Sequence, residues 1–123
     1  MAKQVNDVVL DAALNIIKNN GNLMVALPAE PASYSAAQSA KLAEVAMTST
    51  DFTIADGDVS GRKVTVAAKS AVPIIATGTA NHIAILDTTN SRVLYVTTCP
   101  SQALTSGGQT NFASWAGELR DPA

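Results

Sequence analysis

The sequence predicts a mainly β domain, an antiparallel β-sandwich of jelly-roll kind fronted by one amphipathic α-helix. Three observations predict it. Helical spacing of apolar residues is confined to the first twenty positions, and beyond them it shortens to alternation and brief apolar runs. Seven or eight such runs are separated by turn formers such as Asp56-Gly57-Asp58, Thr88-Thr89-Asn90-Ser91 and Ser106-Gly107-Gly108, a spacing typical of sandwiches and barrels. Finally, 123 residues make one domain, and at 47% apolar against 15% charged the chain can fill a core and has no disorder signature.

The helix comes first, over residues 5–19. Val5, Val8, Val9, Ala12, Ala13, Ile16 and Ile17 recur at helical spacing and form one wide apolar stripe, expected to cover an end or edge of the sandwich. Asn6 is a suitable N-cap, Asp7 and Lys18 oppose the helix dipole at its two ends, and Gly21 offers a left-handed stop. Residues 20–55 read as a mixed excursion. Within it, 22–27 is a short strand ended by Pro28 and Pro31. Residues 32–42 are either a short helix capped by Ser33 or Ser35 or an irregular crossing, and 44–53 is a strand or a bent pair.

Residues 56–119 read as antiparallel strands. Val64 and Val66 alternate with Lys63 and Thr65 over 62–68; the run 72–79 contains Pro73 and Gly78 and suits an edge or bulged strand. Residues 81–87 and 92–98 flank the turn at 88–91, and Ile83, Ala84, Ile85 and Leu86, apolar on both faces, mark a central strand. Pro100 marks a strand end, a short strand follows at 102–105, and 110–119 is the last. If that last strand is regular, Phe112 and Trp115 lie on opposite faces: either one is core and the other covers an edge, or Trp115 anchors an interface.

Composition removes several function classes. Net charge is −2 with Lys and Arg spread singly, so no nucleic-acid footprint is expected. No apolar run approaches the roughly 18 residues of a membrane span, and the opening Met1-Ala2-Lys3-Gln4 lacks a leader's apolar segment. One cysteine excludes an internal disulfide, and with one histidine it cannot build a common zinc site. No cofactor is expected, and the chain reads as made in a reducing cytosol.

Chemistry-bearing groups do not converge. Asp56-x-Asp58-x-Ser60-Gly61 resembles the first half of an EF-hand calcium loop, but the closing bidentate glutamate would fall at Ala67 and a strand replaces the second helix. A polar turn is the simpler reading. A hairpin centred between Thr89 and Asn90 places His82 opposite Thr97 and diagonal to Cys99 at about 6–8 Å, too far for a nucleophile and its base. Ser60-x-x-Lys63 needs a helix to stack the pair and sits instead at a turn. No catalytic residue is expected.

Together the segments Leu10-Asp11-Ala12-Ala13-Leu14, Asp56-Gly57-Asp58-Val59-Ser60-Gly61, Ala76-Thr77-Gly78-Thr79-Ala80-Asn81-His82, Ser101-Gln102-Ala103-Leu104-Thr105-Ser106-Gly107 and Trp115-Ala116-Gly117-Glu118-Leu119-Arg120-Asp121 resemble a widespread group of small tailed-bacteriophage virion proteins of similar length. The resemblance implies a non-enzymatic virion component, most readily a capsid decoration (cement) protein that contacts the major capsid protein and forms a homo-oligomer. Its alternatives are a neck, tail or fibre-associated adaptor and, third, a glycan-binding sandwich, which five aromatic residues equip poorly. The partner contacts expected are Val5, Val8, Val9 and Ile16 of the helix, and Trp115.

Overall fold

The computed structural model describes residues 5–120; the opening residues 1–4 and Asp121 lie outside them. Helix α1 (Asp7–Asn20) begins where expected, with Asn6 Oδ1 accepting from the Val8 N–H at 2.8 Å. Its end differs in kind. Gly21 is extended (φ −71°), not left-handed, and its N–H bonds the Ile17 carbonyl. Glycine is needed for space: a Cβ there would stand 2.6 Å from both the Ile17 oxygen and Ile85 Cγ2.

The buried side of α1 is Leu10, Leu14 and Ile17, not the broader stripe. Burying three such side chains is worth at most about 9 kcal/mol. Polar contacts fix the same side: Arg62 Nε donates to Asp11 at 2.8 Å, and Lys18 Nζ donates to the Ser49 and Phe52 carbonyls at 3.0 and 2.7 Å.

The excursion supplies a central strand. In the four-stranded sheet β2-β1-β6-β7, β1 (Leu23–Leu27) lies between β2 (Ala43–Ala46) and β6 (Gly78–Asp87), with β7 (Arg92–Leu104) at the edge. Every pairing is antiparallel. Residues 32–42 contain α2 (Tyr34–Ala40), capped by Ser33, whose Oγ accepts from the Ala36 N–H at 3.1 Å. Residues 44–53 divide between β2, a 3-10 turn (Ser49–Asp51) and β3 (Phe52–Asp56).

The other strands are β4 (Arg62–Val66), β5 (Lys69–Pro73), β8 (Gln109–Phe112) and β9 (Trp115–Leu119), in sheets β3-β4-β9 and β5-β8. Three expectations fail here. The run 72–79 is divided between β5 and β6, and 110–119 between β8 and β9, whereas Pro100 ends nothing: β7 continues through it to Leu104. The missing proline N–H is tolerated because β7 is an edge strand that bulges there. Register passes from His82↔Thr98 to Ala80↔Gln102, so three residues of β7 face one of β6. The pairs β6–β7, β5–β8 and β4–β9 are nested one outside the next along the chain.

One core lies among the three sheets and α1, with Leu14, Met24, Phe52, Val64, Val66, Ile85 and Phe112 in it. A second forms on the other face of β1 and β6, where Ala37 of α2 covers Val25, Leu27, Ala84 and Leu86. This explains the two-sided apolarity of 83–86. No helix among the described residues is long and apolar enough to cross a membrane.

Candidate functional site

The outer face of α1 is apolar and bare. Val8 is 74% exposed, Val9 60% and Ile16 45%, with Ala12 and Ala13 exposed beside them and Val5 half-buried at the start. These three are among only five large exposed apolar side chains in the described residues. At about 100° per residue they span an arc of about 140°, nearly opposite the buried side. No charged residue falls inside that arc. The helix is therefore apolar on two sides, where a helix packed on one side only needs a single apolar stripe. Its exposed apolar area is on the order of 400 Å², the size of the largest apolar patch on a typical monomeric domain, a surface that is often functional.

The structure separates the residues that could do chemistry. Near the hairpin turn β6 and β7 pair with indices summing to 179, but an extra residue by Leu94 shifts the sum to 180, so His82 faces Thr98 instead of Thr97. His82 thereby shares the α2 side of the sheet with Leu27, its neighbour on β1, while Cys99 borders a cleft on the other side. The imidazole Nδ1 lies 2.6 Å from Asn81 Oδ1. Burial pushes the Cys99 thiol above its usual range, so it stays protonated at neutral pH and is a poor nucleophile.

At the β3–β4 turn, Asp58 takes Lys63 at 2.7 Å and Asp56 takes Arg62 at 2.7 Å. Two of the three candidate calcium ligands, Asp56, Asp58 and Ser60, are thus matched by cations of the neighbouring strand. Lys63 of the Ser60-x-x-Lys63 motif is directed to Asp58. Among the described residues no three His, Cys, Asp or Glu side chains gather as a metal group.

The most perturbed acid is structural. Asp87, 1% exposed at the end of β6, accepts from the Asn90 side chain (2.8 Å) and Arg92 (2.8 Å) and from the Thr89 and Asn90 backbone N–H groups. The Asn90 bond first, then Arg92, holds its carboxyl at about 2. It fastens the β6–β7 turn. Burial alone would raise Asp51, but the Lys69 hydrogen bond and the Thr48 backbone outweigh it and leave it low, tying the 3-10 turn to β5.

Trp115 is half-buried, stacked at a tilt on Tyr95 with ring centroids 5.6 Å apart. Tyr95 lies across Gly117, where a Cβ would meet the ring at 2.7 Å. Phe112 is buried, and the break between β8 and β9 removes the regular alternation expected of the two rings. The Trp115 Nε1–H is buried with no acceptor among the described residues, a state that costs about 1–3 kcal/mol. Past the Tyr95–Trp115 contact, β7 and the β8–β9 segment bound a cleft of about 350 Å³. Residue-type reasoning missed this cleft; its one sequence signal was Pro100 in a β run.

No family model matches the chain, and no curated protein and no solved structure is detectably similar to it.

Proposed function

We propose that this protein is a non-enzymatic structural component of a tailed-phage virion, a capsid decoration subunit whose α1 outer face seats on the major capsid protein. The observation that carries the reading is that face: an uncharged apolar surface of five side chains on a helix already anchored by its other side. The dispersal of His82, Cys99, Asp56 and Asp58 supports a role in adhesion over one in turnover.

Magnitude shapes the mechanism. A face on the order of 400 Å² is about half of one partner's share in a standard interface, so each contact is weak. Repetition over a shell supplies the strength through multivalency, with neighbouring copies of the subunit adding symmetric contacts. The nested pairs β4–β9, β5–β8 and β6–β7 support a jelly-roll-like reading, since a folded antiparallel ribbon generates that nesting.

Copy number per particle tests the proposal. Quantitative mass spectrometry of purified virions should find on the order of hundreds of copies, as repetition over a shell requires. About a dozen copies would place the protein at a neck, tail or fibre, and its absence from particles would overturn the virion reading altogether.

A further inference from the structure

The cleft beside Trp115 is separate from the α1 face and independent of the virion reading. It is bordered by consecutive residues, 97–100 on one side and 110–116 on the other. Alternate residues of a strand point to opposite faces, so a wall made of an unbroken run presents the strand's backbone edge as well as its side chains. Among the described residues those edges are open: β7 pairs only with β6, β8 only with β5 and β9 only with β4. Most of the far half of β7, including Thr98, Pro100, Ser101 and Gln102, is exposed.

The lining is also selective, because none of the described residues around the cleft carries a charge. Nothing there would attract or neutralise an ionic ligand. What the walls offer is apolar surface from half-buried Ile83 and Trp115 and exposed Ala113 and Ala116, and the N–H and C=O groups of open strand edges. The bulge at residues 99–101 bends β7 where the cleft begins.

We propose that this cleft binds an extended, uncharged segment of a partner polypeptide, which lies along β7 as an added strand. Backbone hydrogen bonds to the β7 edge supply affinity. Small apolar side chains at alternate positions enter the cleft and supply selection, as in other strand-addition sites. The charge-free lining excludes Asp, Glu, Lys and Arg from the inward positions by desolvation.

The test uses the full-length protein and three synthetic octapeptides capped at both ends: one alternating Val and Thr, one with Pro at every second position, and one with Glu there. The Val/Thr peptide should shift the single tryptophan indole N–H resonance saturably. It should also slow amide exchange within 98–104 by about tenfold or more and retard alkylation of Cys99. The Pro and Glu peptides should do neither. Thr97→Arg and, on the opposite wall, the exposed Ala113→Arg should each abolish the response while leaving the protein's own spectrum folded. Failure of the Val/Thr peptide to saturate, an equal response to the Pro peptide, or protection appearing on α1 would overturn the proposal. So would protection of 98–104 that rises with protein concentration alone, because the edge would then belong to a second copy.

Discussion

The two helices are finished in opposite ways. α2 buries one small side chain, Ala37, over the second core and faces water with Ser35, Gln38 and Ser39. Its polar groups also bond one another: Gln38 Nε2 donates to the Tyr34 hydroxyl at 2.8 Å, and Lys41 Nζ reaches both Gln38 and Glu44 at 2.6 Å. α1 buries three large side chains and then presents Val8, Val9, Ala12, Ala13 and Ile16 outward, with no charged group among them and Asn19 and Asn20 closing the face at its C-terminal end. The same chain thus makes a solvent face when one is wanted. The outer side of α1 is a different kind of surface, and substitution can tell the two apart.

The largest effect should come from the buried side of α1. Leu14 is 1% exposed in the main core, so Leu14→Ala should lower unfolding stability by about 3 kcal/mol in denaturant titration. In α2 the sensitive position has the opposite demand. Ala37 is fully buried against Val25, Leu27, Ala84 and Leu86, so Ala37→Leu should overpack that layer and cost about 2 kcal/mol. If Ala37→Leu were neutral, α2 would be a loose cover and the contrast with α1 would lose one side.

A smaller effect belongs to the caps. Ser33→Ala removes the acceptor of the Ala36 N–H and should cost about 1 kcal/mol, read as a lower denaturant midpoint at unchanged slope. A larger loss would mean that α2 holds the second core together through its first turn.

These positions also show what a linear reading can reach. The cap at Asn6, the period of α1, the turn at 88–91 and the central character of 83–86 were legible because each is encoded by neighbours in sequence. Which side of α1 goes inward was not. Leu10 and Leu14 on one side and Val9 and Ile16 on the other both satisfy helical spacing, and only the place of the sheets chooses between them. The pairs β4–β9 and β5–β8 join strands far apart in the chain, so no turn announces them. The single extra residue near Leu94 moved His82 from Thr97 to Thr98, and a register slip of that size leaves no composition signal. A missing N–H at Pro100 signals a strand end only in a central strand, and the edge position of β7 that makes it harmless is set by tertiary pairing. The cleft was invisible for a related reason: unpaired backbone edges define it, and these are not written in residue types.

The smallest change in stability should accompany the largest change in behaviour. Val9 and Ile16 are 60% and 45% exposed, so Val9→Asp and Ile16→Lys should each alter unfolding free energy by no more than about 0.5 kcal/mol. An aspartate at position 9 also lies in the first turn, where the helix dipole favours it. Against a partner the arithmetic reverses, because a carboxylate or ammonium brought into an apolar contact is desolvated without a counter-charge. Both variants should therefore fold, give an unchanged circular dichroism spectrum and, on the proposed virion role, be lost from particles when competed against wild type during assembly. The exposed polar position Ser39 on α2 supplies the control: Ser39→Asp should be retained in particles. Equal retention of Val9→Asp and Ser39→Asp would mean that the two helix faces, however different in composition, are both turned to water, and the proposed seating of α1 on a capsid protein would fall.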